Sequence, residues 1–363
     1  MEYIKKLLQK MIEISATDLH LRVGRPPFFR LHSKLVPIKG DPITVSQMDE
    51  IVAYLLGEDK YKEFIKNKEI DLGIGISKIG RFRINCYFQR GTMAVAIRRI
   101  MTTVPDFESL NLPPVIKEIA MAPRGLILVT GTTGSGKSTT LAAMIDYVNQ
   151  NASKNIITIE DPIEYLHKDK KSLISQREVG TDTESYYTAL KQALRQDPDV
   201  ILIGEIRDRE TMLLALQAAD TGHLVMSTLH TLNAVETISR IISFFPPHQH
   251  DQIRLLLSGT LVAVISQRLL PRADKQGIIP AVEILRSTAT IKEYILDPEK
   301  TPLIEQVIEE GRMQYQTQSF DQHILELVKS GKISIETALD NVNNPEDFKL
   351  KLEGIEDTSS RKW

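Results

Sequence analysis

Gly125-Leu-Ile-Leu-Val-Thr-Gly-Thr-Thr-Gly-Ser-Gly-Lys-Ser-Thr139 decides how this chain is read. A short apolar, β-rich run ends in a loop that fits Gly-x-x-x-x-Gly-Lys-[Ser/Thr], and a helical pattern follows over 138–148. Strand, glycine loop and helix in that order are the context in which such a match signifies a phosphate cradle. Gly131 and Gly136 let the backbone turn tightly, so that successive N–H groups face a β-phosphate. Lys137 can reach β- and γ-phosphates, the Ser138 hydroxyl can hold Mg²⁺, and the helix adds its positive end. By chance the pattern occurs about once in a hundred chains of this length. The expected nucleotide contacts are Thr132, Thr133, Gly134, Ser135, Gly136, Lys137, Ser138 and Thr139.

The rest of the chain sets bounds. At 363 residues it is long enough for two or three domains. A charged fraction of 25 % and a hydrophobic fraction of 42 % are those of an ordinary globular protein. A formal net charge of −2 gives no global drive toward nucleic acid, so none is expected as a partner. Cys86 is the only cysteine, which excludes an intramolecular disulfide or a zinc ribbon and fits a reducing cytoplasm. The start, Met1-Glu-Tyr-Ile-Lys-Lys, reads as an amphipathic helix and not a signal peptide. The longest apolar stretch, 255–265, is too short to span a bilayer, so any membrane role is expected to run through a partner.

Punctuation along the chain predicts an α+β domain over 1–101. Its strands fall at 18–22, 28–32, 72–76, 81–89 and 93–100, with helices at 45–56 and 59–66. A proline-rich linker is expected at 102–114. Strands then alternate with helices over 115–289, which favours a parallel sheet built from 126–130, 155–160, 200–205, 223–228 and 278–284. The helices between them are predicted at 138–148, 185–196, 210–219 and 249–267. A helical region over 290–353 and a frayed tail over 354–363 complete the expected order.

A phosphate loop needs carboxylates nearby to orient metal and water. Asp199-Val-Ile-Leu-Ile-Gly-Glu205 and Ile156-Ile-Thr-Ile-Glu-Asp161 are both apolar strands ending in acids. In open α/β sheets ligands bind at the carboxyl ends of strands, where Glu205, Glu160 and Asp161 would lie. One acid would polarise water while another holds the metal's shell; solvated loop carboxylates are the alternative. His223 and His230 bracket a strand at a spacing that puts them on opposite faces, too far apart for one metal. Either is a phosphate sensor or a core histidine. Arg81 and Arg83 share a face of one strand, with Arg98 and Arg99 on the next. They form a surface charge stripe or close over a γ-phosphate as arginine fingers.

Four boxes in order carry a family resemblance: the loop, Ile157-Thr-Ile-Glu-Asp-Pro-Ile-Glu-Tyr165, the run 194–208, and Thr221-Gly-His-Leu-Val-Met-Ser-Thr-Leu-His-Thr231. With Ala16-Thr-Asp-Leu-His-Leu-Arg22 they closely resemble the signature boxes of secretion-type ATPases, over roughly residues 1–353. The chain lacks the tetracysteine insert usual in the assembly and type II secretion branches. With Phe245-Pro-Pro-His-Gln-His250 and Gln316-Thr-Gln-Ser-Phe-Asp-Gln322 it is most similar to the PilT family of type IV pilus retraction ATPases.

The resemblance implies an α/β architecture, with a PAS-like α+β domain followed by a RecA-like ATPase domain. It implies a cytoplasmic, ATP- and Mg²⁺-dependent homohexameric motor of pilus retraction and twitching motility. The motor would act through an inner-membrane platform protein, at the inner face of the membrane. By resemblance Glu160 is the general base, Glu205 serves the metal–water shell, His223 and His230 sense the nucleotide, and Arg81, Arg83 and Arg98 approach the phosphates. An accessory retraction paralogue, an assembly or secretion ATPase, and a nucleotide-gated scaffold with little turnover are the alternatives. Three positions depart from the retraction pattern. Ala289-Thr-Ile-Lys-Glu-Tyr-Ile295 stands where the family often has Ala-Ile-Arg-Asn-Leu-Ile, Thr132 where Pro is common, and Arg268 resembles the assembly branch.

Overall fold

The computed structural model describes residues 2–31, 34–77 and 79–353. His32, at the end of an expected strand, and the expected tail at 354–363 lie outside them. The chain forms two units, and their boundary departs from a simple succession. The first comprises Met1–Thr103 together with Asp161–His167 and Arg177–Glu184; the second comprises Val104–Glu160, Lys168–Gln176 and the chain from Ser185. Two short segments inside the expected ATPase stretch therefore belong to the first unit.

Six antiparallel strands make the first unit's sheet: β1 (Asp18–Arg22), β2 (Phe28–Leu31), β3 (Lys34–Pro37), β4 (Glu69–Ile76), β5 (Gly80–Gln89) and β6 (Thr92–Arg99), ordered β3-β2-β1-β6-β5-β4. β3 has no counterpart in the sequence reading, because all four of its residues are exposed and it shows no inward face. Alternation decides the others. In β5, Phe82, Ile84 and Cys86 are buried while Arg81 and Arg83 lie on the opposite face. Burial pushes the Cys86 thiol up to about 12, which makes it an inert core group. Helices Glu2–Glu13 and Val45–Asn67 cover the inward face. The latter joins the two expected helices and breaks at Gly57, whose φ of 71° keeps them distinct.

Glu178 organises this unit. Its carboxylate is 3 % exposed and accepts from the Gly73 N–H at 3.1 Å, Arg81 Nη2 at 3.2 Å and the Ile163 N–H at 3.3 Å. A Cβ at Gly73 would stand 2.4 Å from the carboxylate, so any side chain there would push Glu178 out of this arrangement.

The second unit carries a seven-stranded sheet of β7 (Gly125–Thr130), β8 (Asn155–Glu160), β9 (Leu173–Glu178), β10 (Val200–Ile203), β11 (Leu224–Leu229), β12 (Leu261–Pro271) and β13 (Ile278–Arg286), ordered β13-β12-β7-β11-β10-β8-β9. The pairs from β12 through β7, β11 and β10 to β8 are parallel, and β13 is antiparallel to β12. Every residue of β7, β10 and β11 is buried, as a parallel sheet covered on both faces requires. One expectation fails here. The predicted helix at 249–267 ends at Thr260, and Leu261 begins an eleven-residue strand. Ser258-Gly259-Thr260 interrupts the apolar run at the junction, and the β-branched Val262, Val264 and Ile265 beyond it favour the strand, so the predicted helix runs one element too far. From Ala289 to Leu352 the chain is mainly helical, and Phe320, Ile324 and Leu327 pack on Leu270, Ile279 and Ala281 of the β12–β13 ribbon.

Removing the cation that faces a buried carboxylate leaves an uncompensated charge. Arg81→Ala is therefore expected to lower the unfolding free energy by about 3 kcal/mol in urea denaturation. Adding Glu178→Gln should recover most of that loss.

Candidate active site

Strand register assembles the site. Leu229 pairs with Thr130, Ser227 with Ile203, and Ile203 with Ile159. Continuing each ladder by one residue sets His230 beside Gly131, and Gly204 between Thr228 and Glu160. The loop, both acids and His230 thus share the carboxyl edge of one parallel sheet. β8 lies three strands from β7, roughly 14 Å at ordinary strand spacing. That gap is of the size a triphosphate and a water would bridge.

His223 does not belong to this group. It precedes Leu224, which pairs with Gly125, so it stands at the opposite edge of the sheet, roughly 20 Å away along the strand. Its Nδ1 lies 2.9 Å from the Ala218 carbonyl oxygen and 3.3 Å from Thr221 Oγ1. The structure therefore separates the two histidines that the sequence pairs.

The loop is shaped by what surrounds it. Gly131 adopts φ 143°, and a Cβ there would stand 2.4 Å from the Gln267 carbonyl oxygen of β12. Gly134 and Gly136 take φ 80° and 93°. Gly136 precedes helix Lys137–Asn151, and no side chain caps the first turn, which leaves its N–H groups for an anion. Lys137 is 8 % exposed and donates to the carbonyl oxygens of Gly131 and Thr132, both at 2.9 Å. Ser135 Oγ is buried without a hydrogen-bond partner. Thr132, Thr133 and Gly134 are exposed, while Ser138 and Thr139 lie on the first turn. A ring of backbone donors, a buried ammonium and an unsatisfied hydroxyl suit a phosphate chain. Beside the loop, Leu110, Leu112, Gly136, Thr139, Leu269 and Ile278 line a cavity of about 210 Å³.

The acids are held differently. Glu160 Oε1 accepts from Thr158 Oγ1 at 2.7 Å and from Gln176 Nε2 at 3.2 Å. Glu205 lies between Arg207, 2.8 Å from Oε2, and His230, whose Nε2 is 3.3 Å from Oε1. Gly204 permits their approach: a Cβ would stand 3.1 Å from the Tyr186 hydroxyl and 3.4 Å from the Glu160 Cα. Among the described residues no group of three or more His, Cys, Asp or Glu could hold a metal alone. A Mg²⁺ at this edge would then draw its ligands chiefly from phosphate and water, a donor set that Ser138 and Glu205 would complete.

The remaining expected residues belong to the first unit. Asp161 opens the segment Asp161–His167 and lines a cavity of about 400 Å³ with Asp71, Arg83 and Glu178. Arg81 is engaged by buried Glu178, and Arg83 makes a bidentate pair with Asp71 at 2.7–3.1 Å. Arg98 pairs with Asp18 through Nε, at 2.8 Å, and its side chain is 68 % exposed. Arg83 and Arg98 are direct cross-strand partners. Of the three, Arg98 is the most open to solvent.

Sequence reading missed the row of polar groups beneath the loop. Thr130 Oγ1 donates to Ser266 Oγ at 3.1 Å, and Ser266 Oγ donates to Glu283 Oε1 at 3.2 Å. Glu283 Oε1 also accepts from the Ala234 N–H at 2.7 Å, at the start of helix Ala234–Ser243. Thr140 and Gln267 exchange side-chain hydrogen bonds at 2.8 and 3.2 Å. The detectable signal was an acid inside an apolar strand, Ala281-Val-Glu-Ile-Leu285. Burial pushes the Glu283 carboxyl up to about 7.

Comparison with known proteins agrees with this geometry. A family model described as "Type II/IV secretion system protein" matches residues 58–358. The type IV pilus ATPase PilU of Pseudomonas aeruginosa is 40 % identical over 351 residues, 96 % of this chain and 91 % of the relative. PilT of the same organism, a type IV pilus retraction ATPase, is 40 % identical over 345 residues, 95 % of this chain and 99 % of the relative. A crystal structure of the pilus retraction motor PilT with bound ADP matches with a TM-score of 0.86 at 43 % identity, covering 94 % of this chain and 98 % of that one.

Glu283 yields a test by pH. Its folded-state pKa lies above the usual value of 4.5, so the stability it contributes is fully present below that value and lost as pH rises through about 7. Glu283→Gln, which does not ionise, should gain on wild type between pH 5 and pH 8 by up to roughly 3 kcal/mol. Chemical denaturation across that range checks it; a difference that stays constant with pH contradicts it.

Proposed function

The chain belongs to the type II/IV secretion system protein family, and on that premise we propose that it is an ATP-hydrolysing motor of type IV pilus retraction. The observation that carries the reading is the phosphate loop and Glu160 on one edge of a single parallel sheet. The PilT relatives, one of them solved with ADP, support the retraction role.

In this reading residues 132–139 bind the phosphates and the 210 Å³ cavity takes the base. Lys137 leaves the carbonyl oxygens of Gly131 and Thr132 for the β- and γ-phosphates. Ser138, with Glu205 through water, would hold Mg²⁺, which when bound neutralises charge on the β- and γ-phosphate oxygens. Glu160 orients a water and takes its proton as the water oxygen attacks the γ-phosphorus. The bond from the γ-phosphorus to the bridging oxygen breaks, and its electron pair leaves on ADP. His230, 3.3 Å from Glu205, would report that change to the start of helix Ala234–Ser243.

Arg98, together with Arg83, would meet the phosphates of another copy in a homohexamer, while Arg81 serves the first unit's fold. No helix among the described residues is long and apolar enough to cross a membrane. Work on the pilus would accordingly pass through an inner-membrane platform protein, from the cytoplasmic face. An accessory retraction role is the second reading. It is favoured by Lys292 and Glu293 in the departure at 289–295, and by PilU and PilT being equally similar to this chain.

Steady-state ATPase assays on the assembled protein test the core of this. Lys137→Ala should lose nucleotide binding. Glu160→Gln should bind normally and turn over at least about 10²-fold more slowly. Wild-type turnover in Glu160→Gln removes the general base, and an assembled wild type that hydrolyses nothing leaves only the scaffold alternative. In cells, deletion should increase surface pili; an assembly ATPase would leave none.

A further inference from the structure

Each acid at the catalytic edge has partners, and those of Glu160 occupy an unusual place in the chain. Glu160 is the last residue of the second unit before Asp161–His167, and Gln176 is the last before Arg177–Glu184; both segments belong to the first unit. β8 and β9, which carry the two residues, are neighbours in the sheet. The hydrogen bond from Gln176 to Glu160 therefore joins the two points at which the chain leaves the second unit. Within the first unit the Ile163 N–H fastens the two segments together by donating to the Glu178 carboxylate, while the Glu178 N–H donates to Asp182 Oδ2 at 2.9 Å within the second segment.

We propose that Gln176 is a positioning residue for hydrolysis, its amide orienting the Glu160 carboxylate at the junction where both excursions begin. The proposal rests on Glu160 being the general base. Thr158, fully buried on β8, and Gln176 donate to the same oxygen, Oε1. Two donors on one oxygen fix the rotation of the carboxylate plane, and with it the direction from which a water can be deprotonated. The chemistry of the donor matters as well. A lysine there would stabilise the carboxylate and weaken it as a base. An amide orients the group without adding charge. Displacement of either excursion segment would reach a partner of this bond through the covalent chain, which ties the base's orientation to both.

The test uses steady-state kinetics of the assembled full-length protein. Gln176→Leu should lower kcat about tenfold and leave KM and the affinity for ADP unchanged. In a Glu160→Gln background the same substitution should have no further effect, since its action runs through Glu160. Gln176→Glu sets a second carboxylate against the base, so the acid limb of the kcat–pH profile should move to higher pH. Wild-type kcat in Gln176→Leu, an equal loss in the Glu160→Gln background, or an unmoved pH limb in Gln176→Glu overturns the proposal. If Glu160→Gln alone keeps wild-type turnover, the failure lies with the general-base reading instead.

Discussion

Because β7, β11, β10 and β8 run parallel and in register, the residues that end them must arrive at one edge of the sheet. That edge receives a loop with φ values open to glycine, two carboxylates and a histidine, all from four adjacent strands. Parallel pairing supplies this order only when both faces are buried. The wholly buried β7, β10 and β11, and the helices over them, are thus what hold polar groups in position. Gly131 is the tightest point of the arrangement, with the backbone of β12 where any side chain would go.

The parts of this arrangement legible in the sequence were those written locally. Strand, glycine loop and helix follow one another within 125–151, and Glu160 and Glu205 each end an apolar run. What escaped was non-local. The exception is β12, read as a continuation of the helix before it although Ser258-Gly259-Thr260 marks the junction; with it went Ser266, Gln267 and the route to Glu283. The excursions at 161–167 and 177–184 were invisible, since no composition shift marks them; only contact with the first sheet assigns them. The arginine stripe was visible, but its partners Glu178, Asp71 and Asp18 lie far off in sequence or on other strands, so the differing engagement of Arg81, Arg83 and Arg98 was not. The residues already set His223 and His230 at the two ends of one strand; only the family resemblance joined them in a nucleotide-sensing role, and the fold sets His230 alone at the loop's edge.

Polar groups beneath the edge give the site its stiffness. The row from Thr130 through Ser266 to Glu283 crosses three strands and ends on the first N–H of helix Ala234–Ser243, four residues beyond His230. Thr158 and Gln176 do the same for Glu160. Satisfied buried networks of this kind restrict side chains to one arrangement. Lys137, by contrast, donates to the nearby carbonyl oxygens of Gly131 and Thr132, and in the proposed reading it would exchange them for phosphate oxygens.

Amide hydrogen exchange on the assembled protein, with and without Mg²⁺ and a non-hydrolysable ATP analogue, tests this edge most directly. Protection concentrated at 131–139 and around His230, and none at 221–224, is the expected result. A loop left unprotected, or protection centred on the opposite edge at His223, contradicts it.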